Sequence, residues 1–218
     1  MDFARPPSSD LINVVSLNAA MLELIAADPA AIPCPAWLSQ ELAALDIDGR
    51  QRLSRTPVLL LSLSENDIER WVPVFKRRPE RDLLAALDGP SLPVADLVTA
   101  ALSFLWQLAC RDAYAARVVS GGSVEWCEEL GKTVLVDVLE FARREPGLAG
   151  LRHADSPVFW RRLLIAATAE ESRVRSASRL AAMQAMLTGS ASNDTERPMR
   201  AAACVLNSAA VVAERRRE

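Results

Sequence analysis

Two long apolar segments constrain this chain more than any other feature. In "DLINVVSLNAAMLELIAAD", Leu11, Val14, Val15, Leu17, Met21, Leu22, Leu24 and Ile25 recur at helical spacing and form a wide apolar stripe. In "VADLVTAALSFLWQLACRD", the run from Leu97 to Ala109 carries no charge for 13 residues between Asp96 and Arg111. A membrane-spanning helix needs about 20 such residues, so the run predicts a buried core helix and no membrane span. Two amphipathic helices with faces this wide cannot stay soluble apart, and each is expected to bury its stripe against the other.

The rest of the chain is consistent with that plan. Half of the residues are hydrophobic but only 5% are aromatic, Ala and Leu dominate, and Val and Ile are scattered rather than alternating. Such a composition favours helix and gives strands little support. The expected fold is all-α, an irregular multi-helix bundle. "PVLLLSLS" from Pro57 is the one strand-like run, and a strand or buried extended chain fits it equally.

Local signals divide the sequence further. Pro35 suits the start of a helix through Trp37, Leu38, Leu42 and Leu45, and "DIDG" reads as a break. Ser64 reads as the cap of a short helix with Glu65 and Asp67 in its first turn. "AYAARVVSGG" reads as a small-residue turn, followed by helices on "SVEWCEEL" and "TVLVDVLEFARRE". Ser156 with Pro157 opens another helix, and "EESRVRSASRLAAMQAML" is amphipathic. These signals predict a first helical repeat over 1–75, a linker with a short helix over 76–92, a second repeat over 93–188, and a linker with a C-terminal helix over 189–218.

The two long helices also introduce similar text. Aligning Asp28 with Asp112 places Met21 on Leu105, Leu24 on Leu108 and Ala31 on Ala115, an offset of 84 residues. Further on the offset is 88, which places Glu41-Leu42 on Glu129-Leu130 and Arg55 on Arg143. Four extra residues in the second copy would fall in the turn between helices, where insertions are tolerated. Two pseudo-equivalent repeats, or two unrelated hairpins sharing an Ala/Leu composition, both satisfy these matches.

"SLNAAMLELIAADPAA" and "LAALDIDGRQRLSR" in the first half resemble the FlhD family of flagellar transcriptional regulators, as does "FLWQLACRDAYAARVVSGGSVEWCEELGKTVLVDVLEFA" in the second. The resemblance rests on a long apolar helix ending in an acid, an Ala-rich turn and a leucine-rich continuation, and it spans about half of the chain. It implies a non-catalytic regulatory protein that works through a protein partner. That family is single-copy and dimerises, so the resemblance implies a pseudo-dimeric monomer or a homodimer. "PVLLLSLS" stands where the family tends to carry a subunit-joining Cys, so no covalent link is implied, and the residues from Gly189 on have no counterpart. A cytosolic adaptor or assembly component of a type III secretion or flagellar export machine would read the same way.

Catalytic chemistry finds little footing. His153, the single histidine, sits in "LRHADSP" two residues from Asp155, an arrangement expected of a surface hydrogen bond. Glu125, Glu128 and Glu129 share one helical turn and Glu170 precedes Glu171, but helical di-metal sites pair such acids with a Glu-x-x-His that is missing here. Cys34, Cys110, Cys127 and Cys204 are not at metal-ligand spacing, and "SGGS" lacks the lysine of a phosphate loop. No cofactor, metal or catalytic residue is expected. The four cysteines and the polar start "MDFARPPSSD" suggest a reduced, cytoplasmic setting.

The formal net charge of −3 argues against broad capture of nucleic acid, although "KRRPER" and "ERRRE" are local basic clusters. Core packing is the leading reading of the tryptophans, with partner contact the alternative at Trp71, Trp160, Arg161 and Arg162, near helix ends beside charged or aromatic neighbours. Trp106, inside the long apolar run, is expected to be core, at about 3–5 kcal/mol on truncation, and Trp37 at a helix start less.

Overall fold

The computed structural model describes residues 8–76 and 93–186. All but Lys76 of the expected linker over 76–92, and the linker and C-terminal helix over 189–218, lie outside the described residues, as do "KRRPER" beyond Lys76, "ERRRE" and Cys204. Within them the regular structure is helical, save for one pair of two-residue strands.

The first half runs α1 (Ser8–Ala27), α2 (Ala36–Ala43), α3 (Ile47–Ser54), β1 (Leu61–Ser62) and α4 (Ile68–Lys76). The second runs α5 (Pro93–Arg111), α6 (Ala113–Ser120), α7 (Val124–Lys132), α8 (Leu135–Arg144), a 3-10 turn (Pro146–Leu148), β2 (Gly150–Leu151) and α9 (Pro157–Thr168). A last helix, α10, occupies 172–186.

The two long helices pack on each other as their apolar stripes require. Arg111 at the end of α5 donates to Asp10 at the start of α1 at 2.8 Å, so the two run antiparallel. Both are long and apolar enough to cross a membrane by length and composition alone. Here both serve the protein's own core, since Met21, Leu22 and Ile25 of α1 and Ala101, Leu102 and Leu105 of α5 are sealed from solvent.

Among the described residues the two halves repeat the order and near-constant spacing of their elements, with α6 and the 3-10 turn added in the second. Ala36 opens α2 and Val124 opens α7, 88 residues on; Ile47 opens α3 and Leu135 opens α8, again 88 residues on. For β1 and β2, and for α4 and α9, the spacing is 89 (Leu61 to Gly150, Ile68 to Pro157). Buried positions match as well, 84 residues apart in the long helices (Val14 with Val98, Met21 with Leu105) and 88 apart beyond them (Leu42 with Leu130). Asp28 and Asp112 occupy matching helix ends. Each backbone N–H donates to the carbonyl four residues back, and each carboxylate accepts from the N–H two residues on.

The strand pairing has the register of a twofold axis. Leu61 faces Leu151 and Ser62 faces Gly150 in an antiparallel pair, so each strand meets its own counterpart as in an isologous dimer contact. Beyond the strands the chains cross. Helix α4 packs on α7 and α8 of the second half, and α9 packs on α3 of the first. The repeats therefore share one apolar core.

Several local expectations need correction. "DIDG" opens a helix instead of breaking one, because the Asp46 carboxylate accepts from the Gly49 N–H at 2.7 Å and caps α3. "AYAARVVSGG" is not a turn but α6, capped by Asp112, which accepts from the Tyr114 and Ala115 N–H groups. This eight-residue helix is where the second repeat exceeds the first. Ser64 does not cap α4; it holds a left-handed backbone (φ 55°) and Glu65 turns inward. Trp106 is only partly buried, with its indole donating to the Thr133 carbonyl, so its truncation is less costly than that of a sealed tryptophan. "PVLLLSLS" is chiefly buried extended chain with β1 at its centre.

Asn18 explains how that chain stays inside. Its amide donates to the carbonyls of Ser54, Thr56 and Val58 at 2.9–3.3 Å and accepts from the Leu60 N–H at 2.9 Å. One buried side chain on α1 thus satisfies backbone groups that a non-helical segment would otherwise bury unpaired.

Candidate functional site

A buried polar junction forms where the two halves meet, beside β1 and β2. Both strands lead into a left-handed residue, Ser64 (φ 55°) and His153 (φ 52°), 89 residues apart. These kinks deliver Glu65 from one half and Arg152 from the other into the interior, at 4% and 7% exposure.

Arg152 laces four segments together. Its guanidinium donates to the Val119 carbonyl at 2.9 Å, which places a cation at the C-terminal end of α6, where the helix dipole favours it. Its backbone N–H donates to the Leu60 carbonyl at 2.8 Å, and its carbonyl accepts from the Trp160 indole at 3.0 Å. Burial lowers its pKa to about 10, with the Glu65 charge acting the other way, so it remains cationic at neutral pH. Gly121 ends α6 at φ 87°, and a Cβ there would come within 2.6 Å of the guanidinium. Both its conformation and its neighbour demand glycine.

Glu65 accepts from the Ser62 hydroxyl at 2.8 Å, while its second carboxylate oxygen has no protein partner. Burial raises its pKa, opposed by the Glu65 and Leu63 backbone, the Ser62 hydroxyl and the Arg152 charge. Trp126 flanks the same spot, since a Cβ on Gly122 would touch both its ring and Glu65. The indole N–H of Trp126 is likewise buried without a partner.

Cys127 completes the junction and is chemically quiet. Burial pushes its thiol up to about 12, helped by the Glu65 charge and opposed by Ser120 and Arg117. A thiol this hard to ionise is a poor nucleophile. The junction therefore holds the two halves in register and offers no activated group to solvent.

His153 departs from the expected surface hydrogen bond. Its ring lies edge-on to Phe159 at 5.1 Å, and its Nε2 is buried without a partner. Burial lowers its pKa first, then the Arg152 charge, with Asp155 opposing both. A depressed imidazole contributes stability that is complete above its unfolded value of about 6.5 and lost as pH falls through the folded value. The melting temperature should therefore drop on acidification from about pH 7 to pH 5. His153→Asn, which tolerates a positive φ, should lose less over that range. Thermal melts of the two proteins decide it, and parallel declines would reject the role given to His153.

The four residues assigned to a partner are not one surface. Trp71 and Trp160 are fully buried, so neither ring is available to a groove on another protein. They are equivalent positions, 89 residues apart, and their indoles donate to the carbonyls of Ser64 and Arg152 at 3.1 and 3.0 Å. Trp71 carries its half's contact across the junction, with its ring 5.1 Å from both Trp126 and Phe141. Arg162 is turned to an internal task, donating to the Ala181 carbonyl of α10 at 3.1 Å, while Arg161 is exposed.

Glu65, Arg152 and Asn18 were missed as key residues. Their one signal was a charged or amide side chain within or beside an apolar run. The carboxylates of Glu128, Glu129, Glu170 and Glu171 are at the surface, and no group of three metal-binding side chains occurs among the described residues. Compared with family models, with curated proteins and with solved structures, the chain matches none.

Proposed function

We propose that this protein is a cytoplasmic, non-catalytic interaction module that acts in regulation, a pair of FlhD-like halves joined in one chain. The observation that carries this reading is α6. The pseudo-twofold pairing engages each half with the other, and α6 is a helix of the second half with no counterpart in the first among the described residues. It leaves Tyr114 and Val118, one turn apart, 67% and 53% exposed. Large side chains exposed on one helical face are the kind of feature a protein partner covers. The resemblance supplies the regulated process, motility or secretion genes, and the partner would be another regulator or RNA polymerase.

Affinity capture of the full chain from its native cell tests this reading. Recovery of a transcription regulator or polymerase, lost in a Tyr114→Asp, Val118→Asp variant that melts normally, is the expected result. Recovery of export-apparatus subunits would move the protein to the adaptor role. Capture unaffected by the double substitution would remove α6 as the docking element.

A further inference from the structure

We propose that the concavity between α3, α9 and α10 binds a small polyphosphate, an anion with at least two linked phosphate groups. The cavity measures about 530 Å³, within the range of small-ligand sites. Arg52, Arg55, Arg175 and Arg179 line it together with Ser172 and Ser176, and no acidic residue does. Four guanidinium groups around one concavity is an unfavourable arrangement in a chain of net charge −3 unless something anionic enters it.

Three of these arginines are already oriented. Arg52 donates to the Ala167 carbonyl at 2.8 Å, Arg179 donates to the Arg52 carbonyl at 3.0 Å, and Arg175 donates to the carbonyls of Ala169 and Glu170. Backbone carbonyls hold a guanidinium in place without cancelling its charge, and each group keeps unused N–H donors for a ligand. Asp48 stands 3.5 Å from Arg52 and is itself 71% exposed, and Glu170 and Glu171, just before Ser172, are exposed as well. The Arg55 side chain makes no hydrogen bond or ion pair among the described residues, so its whole fork is free.

Guanidinium forks match phosphate oxygens in pairs, and four cations exceed the charge of about −2 that one phosphate group carries. The Ser172 and Ser176 hydroxyls, on the first turns of α10, add neutral donors on the same wall. A linked di- or triphosphate, free or carried by a nucleoside, fits both charge and volume. The phosphate backbone of a nucleic acid offers similar groups but as a long polymer, whereas these four arginines line one concavity.

Titration calorimetry on the full chain at low ionic strength, with inorganic pyrophosphate as the probe, tests the site. One saturable site is expected, with orthophosphate binding more weakly. Arg55→Gln should weaken pyrophosphate binding at least tenfold. Arg161→Gln, the same charge change on the exposed face of α9, should leave it unchanged. Absence of saturable binding at millimolar pyrophosphate, or equal losses in the two variants, would overturn the proposal. So would orthophosphate binding as tightly as pyrophosphate, or binding of a DNA duplex where pyrophosphate does not bind. ATP in place of pyrophosphate then shows whether the nucleoside adds affinity.

Discussion

Arg152→Met should lower the stability of the protein by about 3–5 kcal/mol at neutral pH, the usual cost of removing one partner from a buried charged network. Methionine can fill much of the space but cannot donate to the Val119 carbonyl or offset the charge of Glu65. The carboxylate would then be buried with only the Ser62 hydroxyl and nearby backbone to hold it. Its pKa, already raised by burial, should rise further. A raised carboxyl contributes stability that is present below its unfolded value and lost as pH rises through the folded one, so the variant should lose most at neutral pH and recover on acidification. Adding Glu65→Gln should restore part of the loss. Urea unfolding of the parent, both single variants and the double variant completes the cycle. Additive effects would show that Glu65 and Arg152 do not sense each other across the junction.

Trp71→Ala and Trp160→Ala should each cost about 3–5 kcal/mol, since each empties a sealed aromatic site. Trp160→Ala also strands the buried Arg152 carbonyl, whereas the Ser64 carbonyl keeps the Asp67 N–H when Trp71 is removed. The pseudo-equivalence makes the comparison informative, because the two losses should be alike although the flanking sequences differ. Trp71→Ala should also loosen the contact between halves, since the ring packs on Trp126 and Phe141. Trp106→Ala, at a partly exposed ring, should cost clearly less than either. Denaturant unfolding of the three variants ranks them, and a Trp106→Ala variant as unstable as the other two would contradict the packing described above.

The helices were legible because their periodicity is local. Leu11 to Ile25 and Leu97 to Ala109 announce α1 and α5 by spacing alone, and Pro157 marks the start of α9. The repeat was legible too, since the 84- and 88-residue offsets read from single residues recur in the spacing of whole elements. Helix α6 was not, because small residues ending in two glycines read equally as a turn. The Asp112 cap and the Arg152 guanidinium at its far end decide between them.

The partner assignment failed for a related reason. Tryptophan near a charged neighbour has the same local signature on a surface and in a core, and only the crossing of α4 and α9 between halves put Trp71 and Trp160 inside. Sequence by itself determined the helical class, the two stripes that must pair, and the near-duplication that makes them alike. Tertiary structure alone decided which polar groups come together, because Glu65 and Arg152, or Arg55 and Arg179, lie far apart along the chain. Their proximity follows from how the two halves interlock, and no residue's spacing from its neighbours encodes it.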